Sequence, residues 1–171
     1  LYHATGVGKT ITAATDAKAV GGRTLFLVNA LKLASQAKET FAKVWPEATL
    51  GEYTGSQKDM TQTVIFATVQ SISKDLEKFS PTDFDYLIVD ECHHAAANTY
   101  QKIFTYFHPK FILGLTVTPE RSDGEDMLEL FQNVAHKMDL KTAVERGVLV
   151  PIRCIWVKTN IDLTDVRING I

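Results

Sequence analysis

Cysteine is nearly absent from this chain of 171 residues, which carries only Cys92 and Cys154. The two lie far apart without paired spacing, which excludes a disulfide framework and leads us to expect a reducing, cytoplasmic setting. Long apolar runs are missing as well. No stretch approaches the roughly 18 residues needed to cross a bilayer, and no charged-then-apolar leader opens the sequence, so no membrane role is expected. Positive charge is not in excess: 18 Lys and Arg against 20 Asp and Glu give a formal net charge of -2. Any contact with nucleic acid must then come from local loops and not from a global basic field. Internal repeats, low-complexity tracts and composition breaks are absent, so no linker is expected. The sequence opens on Leu1 without a methionine and is inside a motif by His3, so the natural protein is expected to begin farther upstream.

What is present is apolar material, 45% of the residues, enough for one substantial core in a length too short for two ordinary enzyme domains. Short β-rich apolar runs alternate with helical stretches, the pattern of an α/β domain with a mostly parallel sheet and helices on both faces. Strands are expected at Thr24 to Val28, Leu50 to Tyr53, Val64 to Ala67, Tyr86 to Val89, Phe111 to Leu115 and Ile152 to Val157. The runs Leu25-Phe26-Leu27-Val28 and Leu87-Ile88-Val89 are apolar at every position, which places them in the middle of the sheet. Helices are expected at Lys9 to Val20, Leu31 to Val44, Ser71 to Phe79, Thr99 to Phe107, Glu125 to Phe131 and Leu140 to Arg146, most of them closed by glycine or proline.

The segment His3-Ala4-Thr5-Gly6-Val7-Gly8-Lys9-Thr10 opens a helix and matches the working end of a phosphate-binding Walker A loop, with His3 where glycine is usual. Gly6 and Gly8 let the backbone curl so that N–H groups of Thr5 to Thr10 face phosphate oxygens, and the helix N-terminus adds positive partial charge. Lys9 is expected to reach the β- and γ-phosphates of ATP, and the Thr10 hydroxyl to ligate Mg²⁺. The strand Tyr86-Leu87-Ile88-Val89 then ends in Asp90-Glu91, which sets two carboxylates at the carboxyl end of a buried strand, where open α/β sheets bind ligands. Asp90 is assigned to the metal, and Glu91 to orienting and deprotonating the attacking water. Cys92-His93-His94 beside them has no second Cys/His pair at zinc-finger spacing, so His93 is read as a hydrogen-bonding relay next to the nucleotide. His108 and His136 stand in no motif and are read as ordinary loop or strand-edge residues.

Asp90-Glu91-Cys92-His93 after a buried strand, together with the P-loop, resembles the DExH signature of superfamily-two helicases. Leu113-Gly114-Leu115-Thr116-Val117-Thr118-Pro119 is similar to the third motif of that family, with Val117 in place of alanine. The resemblance implies that Thr116 and Thr118 couple the γ-phosphate state to the nucleic-acid side. Leu25 to Gln36 resembles motif Ia, a strand ending in a loop that grips the nucleic-acid backbone, with Asn29 and Ala30 replacing the usual proline and arginine. Asn29 can donate a hydrogen bond there, and Lys32 supplies charge. Tyr53-Thr54-Gly55 and Phe66-Ala67-Thr68 are similar to the two further strand-end loops that touch the same strand, so Gly55 and Thr68 join the expected contacts.

The resemblance extends over nearly all of residues 1–171 and implies a first RecA-like P-loop NTPase domain, truncated at its N-terminus. A second RecA-like domain would follow. Its nearest branch resembles the motor subunits of type III restriction enzymes and related bacterial helicases, while Cys92 is also similar to duplex-RNA sensor helicases. The implied function is an ATP- and Mg²⁺-dependent helicase or translocase acting on nucleic acid, DNA ahead of RNA, with restriction-modification subunits as candidate partners. The alternative is a nucleotide-dependent module that senses duplex nucleic acid without unwinding it. Without an arginine from a second domain, hydrolysis by this domain alone is expected to be very slow.

Overall fold

The computed structural model describes residues 1–94, 98–117, 131, 133–151 and 153. In chain order the elements are β1 (Tyr2–His3), α1 (Lys9–Val20), β2 (Thr24–Val28), α2 (Leu31–Val44), β3 (Leu50–Tyr53), β4 (Val64–Thr68), α3 (Val69–Lys74), β5 (Tyr86–Asp90), α4 (Asn98–Tyr106), β6 (Phe111–Leu115), β7 (Lys137–Met138) and α5 (Leu140–Glu145). Single 3-10 turns lie at Leu76–Lys78 and Cys92–His94. Five strands make a parallel sheet in the order β3-β4-β2-β5-β6. A parallel pair, β1 and β7, joins it through one bridge from Tyr2 to Thr116.

The all-apolar runs do occupy the middle: β2 sits at the centre with β5 beside it, and every residue of β2 is buried. Alternation along these strands feeds two cores, because successive side chains point to opposite faces. Leu25, Leu27, Ile65, Ala67, Leu87 and Val89 pack under α3 and α4 with Ile72, Tyr100, Ile103 and Phe107. Phe26, Val28, Val64, Phe66, Ile88 and Leu115 face α1 and α2, which contribute Ala13, Ala14, Ala17, Ala34, Ala37 and Phe41. Each large apolar side chain buried this way stabilises the fold by about 1.5–3 kcal/mol relative to exposure. The alanine face of α1 brings that helix close to the sheet, where Tyr86 donates its hydroxyl to Asp16.

Two expectations change. The helix expected to run to Phe79 stops at Lys74, because Asp75 leaves helical geometry and its carboxylate takes Tyr53 Oη, Lys58 Nζ and Lys78 Nζ, each at 2.8 Å. Those three donors hold Asp75 far below the usual carboxylate range. The short strands β1 and β7 have no counterpart in the sequence reading. The expected strand Ile152 to Val157 and nearly all of the expected helix Glu125 to Phe131 fall outside the described residues, as does Thr118.

Candidate nucleotide site and its coupling edge

Because the strands run parallel, their carboxyl ends share one edge. The P-loop follows β1, Asp90 and Glu91 close β5, and Thr116 follows β6, so three strands place their ends side by side. The His3 N–H donates to the Thr116 carbonyl, and the Thr116 N–H to the Leu1 carbonyl, each at 3.0 Å.

In the loop, Gly6 and Gly8 have φ of 87° and 93°, a left-handed region that costs other residues about 1 kcal/mol or more. Gly8 is also the N-cap of α1 and brings no side-chain cap. The first N–H groups of the helix, which lack intrahelical partners, are therefore available to an anion. Thr5 and Gly6 are exposed, while Val7, Gly8, Lys9 and Thr10 are half-buried. The Lys9 ammonium folds back to donate to the His3 carbonyl at 3.2 Å. His3 is itself buried, and its Nε2 meets His136 Nδ1 at 2.7 Å with the rings edge to face. His3 Nδ1 has no partner, so the single proton of the neutral ring belongs on Nε2, which has one. Burial, reinforced by His136, lowers the His3 pKa. His136, read from sequence as an ordinary loop or strand-edge residue, lies exposed just before β7 and makes this contact with His3.

Asp90 is half-buried at the end of β5, and its Oδ1 accepts the Glu91 N–H at 3.1 Å. Desolvation and then the neighbouring Glu91 raise its pKa, so this carboxyl gains from a cation. Glu91 has φ of 51°, the one positive φ outside glycine among the described residues. Such conformations are costly and concentrate at functional sites. Here the twist coincides with a contact from the Glu91 carboxylate back to His93 Nδ1 at 3.2 Å. The same His93 nitrogen lies 3.3 Å from Thr116 Oγ1. It bonds Glu91 when protonated and can accept from Thr116 when not, so two partners share one nitrogen. His93 therefore joins the ends of β5 and β6.

The close approach of these strand ends depends on Gly114. A Cβ there would lie 2.8 Å from Cys92 Sγ and 3.0 Å from Phe131 Cε1 and Cζ. Burial pushes the Cys92 thiol up to about 12, so it acts here as a packed apolar group.

The expected nucleic-acid contacts fall on the other half of the edge, at the ends of β2, β4 and β3. Lys32 is exposed in the first turn of α2, and Gly55 is exposed in the loop after β3. Asn29 is half-buried and its Oδ1 accepts from Tyr100 Oη at 2.6 Å. Thr68 is buried, and its hydroxyl donates to Ser71 Oγ at 2.8 Å, so its side chain is turned inward.

A triphosphate and its divalent cation fit what is present: left-handed glycines before an uncapped helix start, a lysine donating to a backbone carbonyl, a hydroxyl at Thr10, and a desolvated carboxyl at Asp90. The family model described as type III restriction enzyme, res subunit, matches residues 1–121. A putative ATP-dependent helicase, IRC3 of Saccharomyces cerevisiae, is 27% identical over 155 residues, covering 85% of this chain and 22% of that protein. A type I restriction enzyme EcoAI endonuclease subunit of Escherichia coli is 28% identical over 181 residues, covering 95% of this chain and 22% of that subunit. The crystal structure of the Hef helicase domain of Pyrococcus furiosus superposes with a TM-score of 0.73 at 25% identity, covering 91% of this chain and 38% of that one. The chain thus spans about a fifth of the length of these curated relatives.

Proposed function

The chain belongs to the type III restriction enzyme res-subunit family as a RecA-like helicase domain, and from that premise we propose that it is the ATP-binding half of a motor that moves along or unwinds DNA. The observation that carries the reading is the convergence of the P-loop, Asp90-Glu91 and Thr116 on one edge, with His93 linking the last two. DNA is put ahead of RNA because the Escherichia coli relative is a restriction endonuclease subunit.

Bound Mg²⁺·ATP would supply the scissile phosphoryl bond and a divalent charge. Thr5 to Thr10 would cradle the phosphates through backbone N–H groups, and Lys9 would exchange the His3 carbonyl for phosphate oxygens. Thr10 and Asp90 would hold the cation. Glu91 orients a water and takes its proton. His93 can release Glu91 and turn to Thr116, which passes the state of the site to β6. Asn29, Lys32 and Gly55 present donors and open backbone to a phosphate backbone, without reading bases. A second RecA-like domain of the same protein would close the site, Thr118 would act beside Thr116, and restriction-modification subunits would be the partners. The setting would be the cytoplasm. Among the described residues no helix is long and apolar enough to cross a membrane.

The test is ATP hydrolysis by the full-length protein with and without DNA, alongside strand-displacement and triplex-displacement assays. Stimulated hydrolysis with displacement is expected, and Lys9→Ala should abolish both. Stimulation without any displacement would replace the motor by a duplex-sensing module. Wild-type hydrolysis by Lys9→Ala would overturn the assignment of the nucleotide site.

A further inference from the structure

Tyr100 has no part in the chemistry above, yet it is 3% exposed in the first turn of α4 and its hydroxyl reaches the end of another strand. Its ring belongs to the core cluster that includes Leu25, Leu27, Leu87 and Val89, and stacks obliquely on Phe104 with centroids 6.2 Å apart. The packing fixes the direction of the hydroxyl, which meets Asn29 Oδ1 at 2.6 Å. Strands β2 and β5 are direct neighbours, paired from Thr24 with Tyr86 to Leu27 with Val89, so their ends lie beside each other. The Asp90 and Glu91 carboxylates at the end of β5 act electrostatically on the phenol, which also bonds Asn29. Burial, ahead of those charges, pushes the phenol up to about 12. It keeps its proton at neutral pH and is a permanent donor.

A carboxamide has one acceptor oxygen and two N–H donors, and nothing in its shape alone decides which end faces outward. In the structure the phenol donates to Oδ1, which leaves the amide N–H groups directed elsewhere. We infer that Tyr100 is a positioning residue, locking the Asn29 carboxamide so that its N–H groups are offered to a nucleic-acid phosphate at the end of β2. The assignment rests on the motor reading given above and on Asn29 as a strand contact. It places the hinge of that contact on the helix that follows Asp90-Glu91, on the boundary between the nucleotide half and the strand half of the edge.

The experiment uses the full-length protein with fluorescein-labelled oligothymidylate and oligouridylate, reading anisotropy and strand-stimulated ATP hydrolysis. Tyr100→Phe keeps the ring and removes only the hydroxyl. It should raise both the Kd and the half-stimulating strand concentration about three- to tenfold, the range for one oriented neutral hydrogen bond, with the saturated rate largely retained. Asn29→Ala should weaken binding similarly, and the double variant should be no weaker than Asn29→Ala alone. Asn29→Asp keeps an acceptor for the phenol but has no N–H to give, so it should bind poorly with an unchanged melting temperature. Wild-type binding by Tyr100→Phe beside weak binding by Asn29→Ala would overturn the positioning role, as would additive losses in the double variant. Wild-type binding by both Asn29 variants would remove the strand contact and the positioning role with it, while persisting strand stimulation in those variants would leave the motor reading standing.

Discussion

Replacing Gly114 by alanine tests whether the nucleotide edge is built on a close approach. The added methyl would sit 2.8 Å from Cys92 Sγ and 3.0 Å from two carbons of Phe131. Favourable contacts begin near 3.5 Å, so the sulfur is about 0.7 Å too close. Cys92 cannot swing away cheaply: its side chain is short, buried, and carried on the 3-10 turn Cys92–His94. Phe131 crowds the same methyl. Overpacking of this kind costs about 1–3 kcal/mol, and for a domain of this size each kcal/mol lowers the melting temperature by about 2–4 °C. Gly114→Ala should therefore melt about 2–12 °C below wild type by circular dichroism. Cys92→Ala alone should cost about 0.5–1.5 kcal/mol, as for loss of one buried methyl-sized group. Combined, the two changes should partly offset each other at the sulfur contact, Phe131 still crowding the methyl, giving a coupling of about 1 kcal/mol in the restoring direction. ATP hydrolysis should fall with Gly114→Ala and recover in the double variant, because the displaced turn bears His93. A wild-type melting temperature for Gly114→Ala, or strictly additive losses, would refute the reasoning.

The two acids should separate. Glu91→Gln should still bind ATP with Mg²⁺ while turnover drops by about a hundredfold or more, whereas Asp90→Asn should shift the Mg²⁺ dependence to higher concentration; equal retention of turnover in both would dissolve the division of roles. Lys32→Ala in the full-length protein should reduce the slope of log K against log salt by about one counterion, read by salt titration on single-stranded and duplex probes. The folded His3 pKa is lowered by burial and by His136, so between the folded value and about 6.5 the unfolded chain binds more protons. That stabilising contribution is complete above the unfolded pKa and is lost as pH falls from there through the lowered folded value. Melting temperatures taken from about pH 8 to about pH 5 should decline more steeply for wild type than for His3→Leu, and parallel curves would count against a buried neutral His3.

The sheet was legible because its signals are periodic and local. Leu25 to Val28 and Leu87 to Val89 read as central strands from apolar runs alone, and β2 and β5 are central. The Asp90-Glu91 pair and the Gly6-Val7-Gly8-Lys9 turn were legible because their chemistry is contiguous in the chain. What escaped was whatever depends on a partner far away in sequence. The two-residue strands β1 and β7 form by pairing with each other across more than a hundred positions, with Tyr2 also bridging Thr116. Helix α3 ends early through an Asp75 cluster whose donors come from β3, its following loop and the next turn.

The same distinction bears on how one edge would connect the nucleotide and nucleic acid of the proposed motor. Residues that touch a phosphate are recognisable by type, since few side chains can do that work. Residues that relay its presence need only occupy the right place between strands. His93 qualifies because one nitrogen lies within reach of both Glu91 and Thr116. Tyr100 qualifies because a rigid ring in the core under β2 and β5 delivers a hydroxyl to Asn29. Each contact is a discrete hydrogen bond, made or broken. A turn at Glu91 that released His93 would move a discrete partner instead of bending a continuous wall. Close-packed strands such as β2 and β5 deform little, so motion at this edge is confined to the side chains and turns at strand ends. The Asp90 end of β5 and the Asn29 end of β2 are separated by one strand spacing, about 4.8 Å.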